Sequence, residues 1–281
     1  MTEPAIALRA CFYRYGASVP ALRGITCTVD VGSWVSIVGQ NGSGKTTLAK
    51  LCNGLLRPQA GTVRIMGEDI RGLPVGELAR QVGYLFQNPD HQLFAPTVRE
   101  EIAFGLDNLD FSPEEKARRI EQTLDTFDLQ PCADRPPAVL GYGLRRQVTV
   151  ASLFALRPPV LILDEPTTGL DAGRTELLME HLRALHRTGH TIVLITHDMK
   201  LVAEWSERMI VLQEGQVLAD GTPRAVFARS GLLAQASLAP PPITELSQRL
   251  RPLGMRGDSP TVQAFYWEYS ALSAPDGMES P

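Results

Sequence analysis

Eight residues near the start of the chain have the spacing of a phosphate-binding loop. Gly39-Gln40-Asn41-Gly42-Ser43-Gly44-Lys45-Thr46 fits G-x-x-x-x-G-K-[ST], with Thr47 directly after it. Glycines let successive backbone N–H groups curl round a phosphate, and the N-terminus of a following helix adds partial positive charge. In such a loop the Lys45 ammonium reaches the β- and γ-phosphates, and the Thr46 hydroxyl is an oxygen ligand of the kind Mg²⁺ prefers. A second chemically able group ends the run Val160-Leu-Ile-Leu-Asp164-Glu165. An apolar strand ending in carboxylates can set Asp164 beside the phosphate loop to hold Mg²⁺, directly or through water. Glu165 is then placed to polarise an attacking water, which favours hydrolysis over transfer to a second substrate.

Positioning these groups requires a strand before the loop and a helix after it. Residues 33–38 (Ser-Trp-Val-Ser-Ile-Val) read as a short buried strand between Gly32 and Gly39, and a helix is predicted from Lys45 or Thr46 to Leu56, ahead of Pro58. Residues 62–65 suggest another strand. Residues 160–163 and 191–196 are two more buried strands, joined by a helix that starts after Asp171 and stops at Gly189. Strand, helix, strand in that order implies a parallel sheet with right-handed crossovers. Residues 208–212 and 216–219, split by Glu214-Gly215, read as two short strands. From Phe86 to Arg157 the pattern turns helical. Ser112 and Glu115 fit a capping box with Pro113 at the first helical position, and Ala117, Ile120, Leu124 and Phe127 follow at helical spacing. Thr222-Pro223 opens another helix. Past Pro240-Pro241-Pro242, two short helices are predicted over 243–250 and 262–272, and residues 274–281 are expected to be disordered.

Composition bounds the partners. With 27 Lys+Arg against 31 Asp+Glu the formal charge is −4, and both signs are mixed along the chain, which argues against bulk nucleic-acid binding. No window reaches the ~18–20 uninterrupted apolar residues of a membrane span, the run from Val148 to Leu163 being broken by Arg157-Pro158-Pro159. Met1-Thr2-Glu3-Pro4 has no basic segment leading into an apolar stretch, so a cytosolic chain without a signal peptide is expected. Cys11, Cys27, Cys52 and Cys132 lack C-x-x-C spacing and are expected as reduced buried thiols. His91, His181, His186 and His190 read as solvated or helix-end residues, and Trp34 as packing at the start of the strand before the loop.

In its loop and carboxylate pair, and in the residues between and around them, the chain resembles the nucleotide-binding subunits of ATP-binding cassette (ABC) transporters over about residues 5–225. Gln87 matches the family's Q-loop, which contacts Mg²⁺ and lies between the ATPase core and a helical insert. Thr168-Gly-Leu-Asp171 is similar to the D-loop, and His197 to the switch histidine that senses the γ-phosphate. Tyr15 is similar to the aromatic that stacks on adenine, with Tyr13 a competitor expected to face the same side of a strand. The resemblance implies ATP and Mg²⁺ as ligands: Tyr15 and residues 39–47 binding ATP, Thr46, Gln87 and Asp164 holding Mg²⁺, and Glu165, His197 and Gln87 serving hydrolysis. It also implies an α/β fold, with a P-loop NTPase core of mostly parallel sheet and flanking helices, an antiparallel β subdomain, an α-helical insert over about 88–157 and a small C-terminal helical extension. The corresponding divisions are 1–228, 229–272 and a tail at 273–281.

Within that family the strings from Lys50 to Pro58, from Gln87 to Phe94 and from Thr97 to Gly105 are similar to those of energy-coupling factor (ECF) importer ATPases, which supply vitamins or cobalt and nickel ions. The implied partners are a second ABC ATPase subunit, an integral membrane scaffold subunit and a substrate-binding membrane subunit, at the cytoplasmic face of the cell membrane, with no nucleic acid. The groove formed by residues 87–94, with Glu100 or Glu101, is implied as the place where the membrane partner's helices dock. For the acidic pair, charge complementing a helix N-terminus is an equal alternative.

One string departs from the family. Where its signature L-S-G-G-Q belongs, this chain has Leu140-Gly141-Tyr142-Gly143-Leu144, and only Leu140 and Gly143 match. In the family this string grips the γ-phosphate bound to the opposite subunit, and losing one oriented donor costs on the order of 3 kcal/mol in such a site. A heterodimer with one strong and one weak site is therefore expected. A nucleotide-binding regulatory cassette, or an ATPase of another ABC class, is the alternative. A kinase or GTPase would leave Gln87, Asp171 and His197 without a role, and a cassette acting on nucleic acid or ribosomes would be expected to carry two cassettes or a long coiled-coil insert.

Overall fold

In the computed structural model, residues 3–273 except 18 and 110 are described. The core is a six-stranded sheet in the order β10-β9-β3-β8-β7-β6, formed by β3 (Trp34–Val38), β6 (Val82–Leu85), β7 (Val160–Asp164), β8 (Thr191–Ile195), β9 (Arg208–Gln213) and β10 (Gln216–Gly221). All its pairings are parallel except the β9–β10 hairpin. Every residue of β3, β6, β7 and β8 is buried, as expected of strands covered on both faces. A second, antiparallel sheet runs β2-β1-β4-β5, from β1 (Ile6–Tyr13), β2 (Leu22–Val29), β4 (Ala60–Ile65) and β5 (Glu68–Asp69). Its apolar residues, with Ile37, Leu48, Leu51, Ile162 and Val193 of the core, form one continuous cluster. All four cysteines are free and buried, and burial with nearby Asp220 pushes the Cys27 thiol up to about 12.

The helix after the loop, α1 (Lys45–Cys52), stops short of the expected Leu56. The chain leaves it through Asn53, whose side chain accepts from Leu55 N–H at 3.0 Å, and Gly54, at φ 76°. The helix α2 (Val75–Gln81) carries no sequence signal, because its single buried residue, Leu78, leaves no apolar stripe to read.

The predicted helical stretch contains α3 (Val98–Asp107), α4 (Pro113–Thr126) and α5 (Tyr142–Leu156), packed around Ile102, Leu106, Leu124, Phe127, Val148 and Leu153. The capping box is only half made. Ser112 Oγ accepts from Glu115 N–H at 3.2 Å, but the Glu115 carboxylate turns outward to Arg118 and Arg119, 2.7 Å from each. The acidic pair on α3 also divides. Glu100 is exposed, whereas Glu101 is 4% exposed and its Oε2 accepts from Phe94 N–H at 2.9 Å and Ala95 N–H at 2.8 Å. Glu101 therefore braces the loop ahead of its helix and cannot meet an outside partner; only Glu100 keeps that option. Glu101→Ala would orphan two backbone donors at a cost of about 1–3 kcal/mol. The expected outcome is a lower urea midpoint, with Glu100→Ala nearly neutral.

The helices α6 (Ala172–Arg187) and α7 (Met199–Trp205) cover the sheet, and α8 (Pro223–Phe227), α9 (Ser230–Gln235), α10 (Pro242–Arg249) and α11 (Val262–Ser273) follow it. Thr244 Oγ1 donates to Ser259 O at 2.8 Å and ties α10 to the segment leading into α11. The expected disorder over 274–281 lies outside the described residues.

Candidate functional site

Register decides what meets at the sheet's C-terminal edge. Ile195 pairs with Ile37 on one side and with Asp164 on the other, so the chain after β3, after β7 and after β8 emerges at one level. The loop from Gly39, the Asp164-Glu165 pair and His197 are thereby brought together.

The loop's glycines are required by its path. Gly39 sits at φ 155°, and a Cβ there would lie 2.3 Å from Leu212 O; Gly44 sits at φ 105°, with a Cβ 2.6 Å from Ala21 O. Lys45 is 8% exposed, and its Nζ donates to Gly39 O at 2.7 Å and Gln40 O at 2.9 Å. Burial lowers its pKa, opposed by the Glu165 and Asp164 carboxylates. Thr46 Oγ1 donates to Asp164 Oδ2 at 2.9 Å, and Tyr84 OH donates to the same oxygen at 3.2 Å. The Tyr84 hydroxyl is held protonated by burial and by the Asp164 charge.

Glu165 has a left-handed backbone, φ 49°, a conformation that costs a non-glycine residue about 1–2 kcal/mol. Its N–H donates to Ile195 O at 2.8 Å. Its carboxylate is 2.7 Å from His197 Nδ1 and accepts from Thr196 Oγ1 at 3.3 Å. Glu165 is nearly buried, while the His197 side chain is 74% exposed.

A cleft of about 460 Å³ is lined by Tyr15, Asn41, Gly42, Gly44, Lys45, Thr46, Thr47, Gln87, Asp164 and Glu165. Gly39, Gln40 and His197 belong instead to a wider opening of about 790 Å³ bounded by residues 237–242. The smaller cleft is the candidate phosphate site, because the buried lysine and both carboxylates face it. Its residues fit the expected ligands. Ser43 Oγ, in the loop, is buried without a hydrogen-bond partner, and the Thr46 hydroxyl and Asp164 carboxylate supply the oxygen donors Mg²⁺ prefers. Tyr15 lies beyond β1, so the expectation that it shares a strand face with Tyr13 is corrected. Tyr13 packs into the core, and Tyr15, 45% exposed, meets it edge-on at 4.9 Å between ring centroids.

Leu140, Gly141, Tyr142, Gly143, Leu144 and Asp171 do not reach this cleft. Gly141 caps α5 without a side-chain hydrogen bond, and Leu140 is buried. The Tyr142 ring lies on Gly169, where a Cβ would come within 2.4 Å of its Cε1. Asp171 caps α6 by accepting from Arg174 N–H at 2.9 Å.

A family model described as "ABC transporter" matches residues 22–168. The chain belongs to the ABC transporter family. It carries that family's ATPase domain, and the energy-coupling factor transporter ATP-binding protein EcfA of Methanothermobacter thermautotrophicus is 39% identical to it, over 96% of this chain and 88% of that protein. The cobalt import ATP-binding protein CbiO of Rhodobacter capsulatus is 40% identical, over 92% and 95%. The structure of cbiO1 from Clostridium perfringens, described as part of the ABC transporter complex cbiONQ, superposes with TM-score 0.73 at 31% identity, over 87% of this chain and 98% of that one. Some relatives are longer, and this chain spans 41% and 42% of the length of two of them.

Three residues of this ABC chain escape sequence reading. Tyr84 and Thr196 sit in apolar strand runs, and nothing local says that their hydroxyls meet Asp164 and Glu165. Arg146 follows another arginine and resembles any helix-surface cation, yet it is fully buried.

Proposed function

We propose that this chain is the ATP-hydrolysing motor subunit of an ECF-type ABC importer. The observation that carries the reading is the carboxylate of Glu165, held by His197 and Thr196 on the wall of the cleft that contains Lys45 and Thr46. Lys45 and the loop N–H groups would bind the β- and γ-phosphates, and Tyr15 would stack on the adenine. Thr46, Asp164 and Gln87 would hold Mg²⁺, which neutralises phosphate charge when bound. Glu165 would orient and polarise the attacking water, with His197 linking its carboxylate to the γ-phosphate.

Closure on ATP would need a second cassette, whose signature string completes this cleft, while residues 140–144 face the partner's nucleotide. With no hydroxyl at Gly141 and a ring at Tyr142, that second site would be weak, which supports a heterodimer. No helix among the described residues is long and apolar enough to cross a membrane, so transport would require an integral scaffold subunit and a separate substrate-binding subunit. The chain would sit on the cytoplasmic face of the membrane. Phe94 and Phe104, 63% and 48% exposed and in edge contact at 4.4 Å, would offer the scaffold an apolar foothold near Glu100. The similarity to a cobalt import ATP-binding protein supports a transition-metal ion as the cargo of the whole complex, with a vitamin the other cargo that the ECF resemblance implies.

The test is the composition of the complex purified from native membranes with this chain as bait. A different ABC ATPase and at least one integral membrane protein are expected. Two copies of this chain with no second ATPase would overturn the heterodimer, and the absence of any membrane subunit would overturn the transport reading.

A further inference from the structure

The β6–β7 ladder ends at Leu85 and Leu163, and past that level Phe86-Gln87 and the Asp164–Pro166 turn run on without strand pairing between them. Arg146 of α5 fills the gap. Its Nη1 donates to Phe86 O at 2.5 Å and Gln87 O at 3.3 Å, its Nη2 to Asp164 O at 2.9 Å and Glu165 O at 2.5 Å, and its Nε to Pro166 O at 3.1 Å. All five acceptors are backbone carbonyls, and no ion pair balances the guanidinium among the described residues. Burial in turn draws its pKa down to about 10. Burying a guanidinium without a salt bridge is costly, and the nearby Asp164 and Glu165 charges oppose that cost without forming an ion pair with it. What a planar fork of five donors does achieve is fixed geometry between two segments.

We propose that Arg146 is a positioning residue for hydrolysis, clamping Gln87 to the left-handed turn at Glu165 so that a displacement at the insert is transmitted to the water-orienting carboxylate. Among the described residues Arg146 makes no hydrogen bond to a cleft-lining side chain, and it acts through the backbone that carries Glu165 and Gln87. The inference rests on the hydrolytic reading above. A lysine at the same place is a single point donor and cannot span both segments.

The test is the Arg146→Lys and Arg146→Gln substitutions in this chain of the assembled complex, with turnover counted per site that binds a fluorescent ATP analogue. The expected result for both is at least a tenfold fall in kcat, KM for ATP within threefold, and Lys no better than Gln. A purely packing role predicts fewer binding-competent sites, each with wild-type turnover; kcat per site within twofold of wild type overturns the proposal. If the wild-type complex does not hydrolyse ATP at all, it is the hydrolytic reading that fails. Hydrogen exchange on the wild-type complex decides independently of whether the variants fold. Peptides covering 86–88 and 164–168 should open as one unit, and separate opening overturns the clamp.

Discussion

Glu165→Gln is expected to lower steady-state ATP hydrolysis by a hundredfold or more while leaving ATP affinity within about threefold. The substitution keeps size and shape in a site where the side chain is nearly enclosed, so the left-handed turn, its N–H bond to Ile195 and the five carbonyl contacts of Arg146 are undisturbed. What changes is charge and basicity. An amide can accept one hydrogen bond from Thr196 or His197, but it cannot draw a proton from water, and positioned general bases typically contribute 10²–10⁴-fold. Lys45, Thr46 and Asp164, which would hold phosphate and metal, do not depend on Glu165 for their mutual contacts. Phosphate release measured beside equilibrium nucleotide binding checks this. Equal hydrolysis by variant and wild type would instead identify a silent nucleotide sensor, the regulatory alternative.

Rebuilding the signature should move activity the other way. Gly141→Ser, Tyr142→Gly and Leu144→Gln together restore L-S-G-G-Q at the start of α5, and turnover at the site this string faces, measured with the other site blocked, should rise about tenfold or more. The local geometry accepts the change at its most important position: Gly141 has φ −62°, and a Cβ there meets nothing within 4 Å. A serine would supply the hydroxyl that this helix start lacks, directed at a phosphate on the facing subunit; one such donor is worth about 3 kcal/mol in a preorganised site. Removing the Tyr142 ring also uncovers Gly169 of the same chain. Unchanged turnover in the rebuilt complex would mean that this string does not limit hydrolysis, and the argument for an asymmetric pair would lose its physical basis.

How far the residues could be read depended on how local their causes are. The phosphate loop was legible because its glycines answer to backbone crowding within a few residues, and Lys45 and Thr46 follow by position along a helix start. The buried strands before the loop and before Glu165 were legible as β-branched apolar runs. The end of α1 falls before the expected Leu56 because Asn53-Gly54, a helix-stop pair, is followed by Leu55-Leu56, whose apolar character suggests that the helix runs on to Pro58. Glu101 was read as a possible surface charge because acidity in a first helical turn is common, and only the folded loop above it shows two backbone donors that need an acceptor. Tyr15 is preferred to Tyr13 by resemblance alone, and what only the structure shows is that β1 ends at Tyr13, so the two rings do not share a strand face.

The sequence by itself determined the chemistry available: a glycine-rich loop of the kind that cradles phosphate, a strand delivering two carboxylates, and a histidine at the end of another strand. These are set by composition and short-range periodicity, which fold in any context that buries the strands. Tertiary structure alone decided which of those groups meet. Ile195 lies between Ile37 and Asp164 because three strands distant in sequence adopt one register, and that register, through strand pairing, brings His197 to Glu165. The same packing drew Arg146 out of an unremarkable basic pair and into the core, where its guanidinium donates to carbonyls that converge from two separate segments.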